Sequence, residues 1–257
     1  MNIHFYKYHG TGNDFLLLDN RRKEYDKLTN EQVASLCQRH FSIGADGLML
    51  LNEKDGYDFE MMYYNSDGNV SSMCGNGGRC ISAFAQRLGI GSDELKFLAT
   101  DGEHISRLKN GIISLQMKDV DRIIHRETYS QVDTGSPHYV AYVDDVNDIK
   151  VKQEGALIRY SPLFKEEGIN VNFMQELSPT SIFVRTYERG VEDETLSCGT
   201  GVTACALVQM EKEKRNLIQI KTLGGELEVE GQKKGEGFEN VWLTGPAEFV
   251  FEGEVQV

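Results

Sequence analysis

The sequence predicts an α+β fold built from two similar domains, and three observations support this prediction. The chain has 257 residues, a length between one and two domains of ordinary size. Motifs of the first half return in the second half at a nearly constant spacing. Short strands with alternating apolar residues fill both halves, with few helical segments between them. We therefore expect two pseudo-symmetric, β-barrel-like domains, each of mainly antiparallel strands around a central helix, with the functional site in the cleft between them.

The internal repeat rests on five matched positions in one order. The pairs, at offsets of 123 or 124 positions, are Gly12 with Gly135, Gly44 with Gly168, Tyr63 with Tyr187, Cys74 with Cys198, and Gly102 with Gly225. The same offset places Asp46 on Asn170. We predict domains over residues 1–118 and 119–245, with a C-terminal strand over 246–257 that joins the first domain.

Two helices are predicted in the first half. Thr29 begins a capping box that Gln32 completes, and apolar residues then recur at helical spacing as Val33, Leu36, Cys37 and His40. The second helix is expected to begin near Cys74 and to end at Gly89, which suits a helix C-terminus. It should bury a stripe of four residues: Ile81, Phe84, Ala85 and Leu88.

The counterpart of the second helix, over residues 202–210, is apolar on nearly every face. A helix of this kind belongs in the middle of a domain. Short alternating strands are predicted around it, at residues 182–186, 218–220, 227–229 and 241–243. The stretch TLGGELEVE, residues 222–230, predicts a hairpin between two of these strands.

Composition and charge argue against several classes of partner. The net charge of −13 disfavours binding to nucleic acid or to an anionic membrane. No apolar run is long enough to span a membrane, and the first residues lack the pattern of a signal peptide. Five cysteines are an odd number that does not suggest a disulfide framework, so we expect a reduced, cytoplasmic protein.

Two of the cysteines stand directly before a glycine-rich helix start. Cys74 begins CGNG and Cys198 begins CGTG. A helix N-terminus offers unpaired N–H groups and a partial positive charge, and glycines let a carboxylate approach those groups. The same field lowers the pKa of a thiol below about 8.5, so thiolate becomes available near neutral pH. Each half is therefore predicted to hold an anion cradle with a base beside it.

Two such cradles around one carboxylate would present a sulfur to each face of the adjacent carbon. This arrangement predicts racemisation or epimerisation by two bases, in which one thiolate removes the α-proton and the opposite thiol delivers another. The remaining cysteines, Cys37, Cys80 and Cys205, are predicted to lie in the core. No metal site is expected, because Cys74 and Cys80 would lie about 9 Å apart along a helix.

The two cysteine motifs and several further segments resemble the diaminopimelate epimerase family. The segments that match are YHGTGNDFLLLDN, RHFSIGADGLMLL, NSDGNVSSMCGNGGRC, GSPHYV, INVNFMQ and ERGVEDETLSCGTGVTACA. The resemblance implies a cofactor-free interconversion of LL- and meso-diaminopimelate, on the route to lysine and cell-wall precursors. It also implies two barrel-like domains with a central helix in each, and often a homodimer.

The family's site residues carry over by position. Cys74 and Cys198 resemble the acid/base pair, and Gly75–Asn76 and Gly199–Thr200 resemble the cradle for the carboxylate. The groups that resemble binders of the ammonium and of the distal amino-acid end are Asn13, Asn65, Asn170, Glu188 and Arg189. Such a doubly charged substrate suits amide, carboxylate and guanidinium partners. His138 and Glu188 resemble residues that tune the protonation of the thiols.

This chain departs from the family's pattern at three places. Gly47 stands where some members have glutamine, and Ser136 stands where many have asparagine. The segment from Arg189 to Cys198 is one residue longer than usual, so the roles of Glu194 and Thr195 do not carry over.

Two other functions compete with the epimerase prediction. A proline or hydroxyproline racemase also uses paired cysteines, but its single-ended substrate would not need Asn13, Asn65, Asn170 and Arg189 together. A non-catalytic binding protein with the cysteines as a thiol switch belongs to a different class. Exchange of the substrate's α-hydrogen in heavy water separates the enzymes from the binding protein.

Overall fold

The computed structural model describes residues 1–257 and confirms an α+β protein dominated by strands. Four α-helices are present: α1 (Asn30–Cys37), α2 (Gly75–Arg87), α3 (Val151–Arg159) and α4 (Gly199–Glu213). The strands are β1 (Asn2–Gly10), β2 (Asn13–Asp19), β3 (Gly47–Asn52), β4 (Phe59–Asn65), β5 (Glu94–Ala99), β6 (Gly102–Lys109), β7 (Ile112–Gln116), β8 (Ile123–His125), β9 (Ser130–Asp133), β10 (Pro137–Tyr142), β11 (Asn170–Ser178), β12 (Ser181–Glu188), β13 (Asp193–Thr195), β14 (Leu217–Thr222), β15 (Gly225–Lys234), β16 (Gly237–Pro246) and β17 (Glu248–Gln256).

The chain divides into two compact units. The first consists of Met1–Leu115 with Gly245–Val257, and the second of Gln116–Thr244. In the first unit the strands pair in the order β17-β1-β2-β3-β4-β5-β6-β7. The pairs β2–β3 and β4–β5 are parallel and the others are antiparallel. Each parallel pair needs a crossover, and α1 and α2 supply the two crossovers.

The second unit repeats this plan strand for strand. Its order is β8-β9-β10-β11-β12-β14-β15-β16, and the parallel pairs β10–β11 and β12–β14 take the same places. Here α3 and α4 are the crossover helices, and the short β13 pairs with the end of β12. The repeat that the sequence predicted is therefore present in the topology.

The crossover helix α2 lies in the core of the first unit and α4 in that of the second. Residues 75–82 of α2 are buried, together with Phe84 and Ala85, and α4 is buried from Gly201 to Met210. Gly89 follows the end of α2 with a φ of 73°, as predicted for a C-terminal glycine. The prediction of a central helix in each half is confirmed.

The predicted start of the first helix is confirmed, but its predicted stripe of buried residues is confirmed only in part. Thr29 caps α1, and Gln32 completes the capping box. Val33, Leu36 and Cys37 are buried, but the prediction for His40 was wrong, because this residue is exposed and has a φ of 73°. The helix ends at Cys37, so the helical spacing no longer applies at His40. None of the helices combines the length and apolarity that a membrane crossing requires.

Candidate active site

Cys74 is the residue immediately before α2, and its backbone is extended, as a helix N-cap requires. Glycines let the first turn of α2 pack closely against the sheet. A Cβ atom on Gly77 would lie 2.3 Å from the Met49 methyl group, and one on Gly78 would lie 3.0 Å from a Leu115 methyl group. Gly77 and Gly78 therefore serve the packing of α2 inside the first unit.

A chain of hydrogen bonds orients the polar side chains beside Cys74. The Asn13 amide donates to the Asp46 carboxylate at 2.6 Å, so its carbonyl oxygen points away from Asp46. That oxygen accepts from the Asn76 amide at 3.2 Å and lies 3.6 Å from the Cys74 sulfur. Arg39 in turn donates to Asp46 at 2.9 Å. The structure thus brings together three predicted site residues, Cys74, Asn13 and Asn76.

Asn65 and Gly47 lie at the same end of the first unit's sheet. Gly47 on β3 pairs with Phe15 on β2 and with Asn65 on β4. Asn65 therefore lies at the end of β4, two strands away from β2. Asn65 is exposed. A Cβ on Gly47 would lie 2.5 Å from the Tyr63 ring and 2.6 Å from the Tyr64 backbone oxygen, so no larger residue fits there while β4 keeps its position. The absence of glutamine at this place has a steric reason in this chain.

Arg79, which the sequence analysis missed, is fully buried one turn into α2. Its guanidinium donates to the Asn76 side-chain oxygen at 3.0 Å, to the Gly75 carbonyl at 3.4 Å and to the Thr11 hydroxyl at 3.4 Å. Burial lowers the pKa of this guanidinium from its usual value. The available signal was an arginine that directly follows two glycines and directly precedes the apolar stripe of a helix predicted to be central.

Cys198 takes the equivalent place before α4 and is buried, with an extended backbone. Its sulfur lies 3.5 Å from the Thr200 hydroxyl, and the Thr200 carbonyl accepts a hydrogen bond from Thr134. A Cβ on Gly201 would lie 2.4 Å from the side-chain oxygen of Asn172. The first turn of α4 is therefore in direct contact with Asn172 on β11.

Asn172 connects this helix start to His138, which is fully buried on β10. The Asn172 amide donates to the Tyr139 carbonyl at 2.9 Å and lies 3.2 Å from His138 Nδ1, while its oxygen accepts from the Thr186 hydroxyl at 2.9 Å. An amide donor at Nδ1 leaves the proton on Nε2, which is buried and has no hydrogen-bond partner. Burial, with the charge of Arg189, lowers the pKa of His138 to about 3, so this histidine is neutral at physiological pH.

Asn170 and Arg189 lie together in the second unit. The Asn170 amide donates to the Ser136 hydroxyl at 2.9 Å, and its oxygen accepts from the Arg189 backbone N–H at 2.9 Å. The Arg189 guanidinium is exposed and donates to the Glu167 carbonyl and to the Ser136 hydroxyl. Ser136, at the position where the family often has asparagine, thus contacts both predicted substrate-binding residues.

Glu188 accepts a hydrogen bond from the Thr195 hydroxyl at 3.0 Å. The following loop makes a left-handed turn at Glu192, whose φ is 57°. Glu192 accepts from the Tyr187 hydroxyl, and Glu194 forms a two-point ion pair with Arg185. Glu194 therefore has a structural partner inside the second unit.

The other three cysteines are buried in the core, as predicted. Burial raises the pKa of Cys37 to about 12 and raises those of Cys80 and Cys205 as well, which keeps these thiols protonated. No group of three or more histidine, cysteine or carboxylate side chains lies close enough to hold a metal ion.

Solved structures share this fold at low sequence identity. A PhzF-family phenazine biosynthesis protein of Bacillus anthracis matches with a TM-score of 0.77 and 13% identity, over the whole of both chains. A hydroxyproline epimerase of Agrobacterium vitis, with trans-4-hydroxy-L-proline bound, matches with a TM-score of 0.67 and 14% identity, over 99% of this chain and 92% of the other. The fold is that of the two-domain PhzF and proline racemase proteins.

Sequence comparison is more specific. The family model for diaminopimelate epimerase matches residues 5–128 and 130–250. A diaminopimelate epimerase of Flavobacterium psychrophilum is 51% identical over 250 residues, covering 96% of this chain and 98% of the relative. One of Chlorobaculum tepidum is 38% identical over 257 residues, with coverages of 96% and 98%. The chain belongs to the diaminopimelate epimerase family, and the prediction of an isomerase is confirmed.

Proposed function

We propose that this isomerase interconverts LL- and meso-diaminopimelate by a cofactor-independent, two-base mechanism, with Cys74 and Cys198 as the bases. The observation that carries the proposal is the repeat itself. Each unit has one cysteine at the N-cap of its central helix, at equivalent positions and followed by equivalent glycines. A thiol at that position lies beside unpaired backbone N–H groups that can bind a carboxylate.

In this mechanism one thiolate removes the α-proton and the other thiol delivers a proton to the opposite face of the same carbon. Backbone N–H groups at Gly75–Asn76 and Gly199–Thr200 bind the carboxylate next to that carbon and stabilise the charge that develops on it. His138 and Glu188 tune the protonation of the thiols. Because the pKa of His138 is lowered to about 3, this residue is neutral at physiological pH, so its proposed role does not use a positive charge.

The ammonium and the distal amino-acid end of the substrate are assigned to Asn13, Asn65, Asn170, Glu188 and Arg189. Arg189 supports this assignment best, because its guanidinium donates to two neutral oxygens, the Glu167 backbone carbonyl and the Ser136 hydroxyl. An exposed guanidinium with neutral partners is available for a two-point bond to a ligand carboxylate. The proposal also includes a homodimer and a role in the synthesis of lysine and cell-wall precursors, as the family resemblance implies. It includes a cytoplasmic location, which the five cysteines favour.

The test is hydrogen exchange in heavy water. Incubation with LL-diaminopimelate should place deuterium at one α-carbon and yield the meso isomer, as measured by mass spectrometry and chiral chromatography. Lysine lacks the distal carboxylate and should exchange at least about 100-fold more slowly, because the charge of Arg189 would then have no carboxylate to bind. Absence of exchange with diaminopimelate, or equal exchange of lysine, contradicts the proposal.

Proline and hydroxyproline serve as controls in the same assay. The structural likeness to a hydroxyproline epimerase shows the fold alone, at 14% identity. A racemase of that kind would exchange the proline α-hydrogen and would be insensitive to Arg189→Ala. The proposed epimerase leaves proline unchanged, and Arg189→Ala raises the KM for diaminopimelate.

A further inference from the structure

Arg79 is a buried cation with no carboxylate beside it. The residue has no exposed surface, and its side-chain partners are the oxygens of Gly75, Asn76, Thr11 and Pro246. The titratable groups close enough to act on its charge are the thiols of Cys80 and Cys74. A buried charge is normally paired, because removal from water without a counter-ion is costly. Packing alone therefore does not explain why a charged residue lies at position 79.

The helix makes the cost of this charge larger. Arg79 follows Cys74 within the first turns of α2, where the helix macrodipole is already positive. An anionic side chain would be the favourable choice at this end of a helix, and α2 has none in its first turn. The first turn of α2 thus combines a helix N-terminus with a desolvated guanidinium, and both favour an anion at the same place.

The contacts of Arg79 point to the two residues of the first cradle. One guanidinium nitrogen donates to the Gly75 carbonyl and another to the Asn76 side-chain oxygen. This second bond leaves the Asn76 amide as a donor to Asn13, whose own amide donates to Asp46. Every donor in this chain points from the cation at Arg79 towards the anion at Asp46, so the two amides have one favourable orientation.

The second unit shows that a cation is not needed to complete this helix turn. Thr203 stands at the repeat position of Arg79, and its hydroxyl donates to the Gly199 carbonyl at 2.8 Å. Gly199 corresponds to Gly75, so the same carbonyl is satisfied by a neutral hydroxyl in one unit and by a guanidinium in the other. The charge at Arg79 is an addition specific to the first unit.

We propose that Arg79 is a positioning residue that fixes Gly75 and Asn76 for anion binding and supplies the buried positive charge that the substrate's α-carboxylate neutralises. The identity of the anion rests on the proposed function, whereas the positive potential beside Cys74 does not. Removal of the charge should weaken binding of the carboxylate and lower the reactivity of Cys74 towards an alkylating agent, because a nearby cation favours the thiolate.

Two variants separate charge from geometry. Arg79→Met keeps the length of the side chain and removes the charge and the donors. It should raise the KM for diaminopimelate roughly 10- to 100-fold, which is the expected effect of losing charge-assisted contacts. Arg79→Lys keeps the charge but has no planar fork to bond Gly75 and Asn76 together. It should raise KM while leaving the alkylation rate of Cys74 near that of the parent.

The control is Arg87→Met, which removes the same charge from an exposed position near the end of α2. It should change neither KM nor the alkylation rate. The rate of carbamidomethylation of Cys74 is measured without substrate in a Cys198→Ser background, by peptide mass spectrometry at neutral pH. We expect a decrease of about tenfold for Arg79→Met, for the same electrostatic reason. Far-UV circular dichroism and the substrate-free melting temperature verify that each variant is folded.

The outcomes distinguish this inference from the proposed function. If the parent enzyme does not exchange the α-hydrogen of diaminopimelate, the proposed function fails, while the alkylation experiment still tests Arg79. Wild-type KM and Cys74 reactivity in folded Arg79→Met would overturn the inference. If Arg79→Met does not fold, Arg79→Lys decides the positioning role, and an unchanged KM in that variant overturns it.

Discussion

The N-termini of α2 and α4 have a similar backbone conformation but are surrounded by different side chains. Both begin with an N-cap cysteine and a glycine, and both have a glycine at the third helical position, Gly77 or Gly201. Around Cys74 lie an amide chain and a buried guanidinium. Around Cys198 lie hydroxyl groups, and Asn172 links the helix start to a neutral, buried histidine.

This comparison separates the features that the two units share from those that differ. The repeat provides two equivalent helix starts, each with an N-cap cysteine followed by a glycine. The side chains around them differ, and the proposed substrate, with one reacting carbon and one distal end, is likewise not symmetric. In the proposed function the cradles perform the same task, and the charge at Arg79 and the tautomer of His138 make the two thiols chemically unequal.

The largest expected effect concerns the two cysteines themselves. Cys74→Ala and Cys198→Ala should each reduce epimerisation by at least about 10³-fold, since each removes one of the two acid/base groups. Chiral chromatography of the diaminopimelate isomers measures the loss. Cys80→Ala and Cys205→Ala are matched controls on the same two helices, and they should keep most of the activity because these thiols are core residues. Normal turnover by either N-cap variant would exclude a two-base mechanism.

The cysteine motifs were found in the sequence because their chemistry is local. A thiol, a glycine and a helix start are adjacent in the chain, and the repeat added a second copy. The capping box at Thr29 and the C-terminal glycine at Gly89 are local in the same sense, and the structure confirms both. The prediction that His40 is buried was wrong, because it extended the helical spacing beyond Cys37, where the helix ends.

Arg79 and Asn172 were missed because their partners are remote in sequence. An arginine in a helix is usually solvated at the surface, but Arg79 is buried and contacts Thr11 in the β1–β2 turn and Pro246, both remote in sequence. Asn172 gains its importance from Thr186 on the next strand and from the helix start at Gly201. Contacts of this kind follow from tertiary packing and have no pattern along the chain.

A second comparison uses the paired glycines. Gly201→Ala should lower the free energy of unfolding by about 2–4 kcal/mol, because the new methyl group meets an Asn172 carboxamide that hydrogen bonds hold in place. Gly77→Ala should cost less than about 1 kcal/mol, since its methyl group meets the flexible end of Met49 and alanine favours the helix. Urea unfolding midpoints measure both values. Equal losses would mean that Asn172 yields as readily as Met49.

The smallest expected effect is a difference in acid sensitivity. His138 has a pKa of about 3 when folded, against an ordinary value of 6.5. The unfolded chain therefore binds a proton that the folded chain does not between these two values, so stability falls as pH decreases from 6.5 towards 3. At pH 5 this contribution amounts to about 2 kcal/mol relative to pH 7. At the equivalent repeat position the first unit has Phe15, which is fully buried and cannot titrate.

His138→Phe, which copies the first unit, should remove that part of the pH dependence. Urea unfolding at pH 7 and pH 5 should then show a drop in the free energy of unfolding that is about 2 kcal/mol smaller than in the parent, whatever the variant's stability at pH 7. His4→Phe is the matched control, because His4 is an exposed strand residue and its loss should leave the parent's pH dependence in place. The same pH dependence in His138→Phe and in the parent would show that His138 takes up its proton without unfolding, and that the two units respond to acid alike.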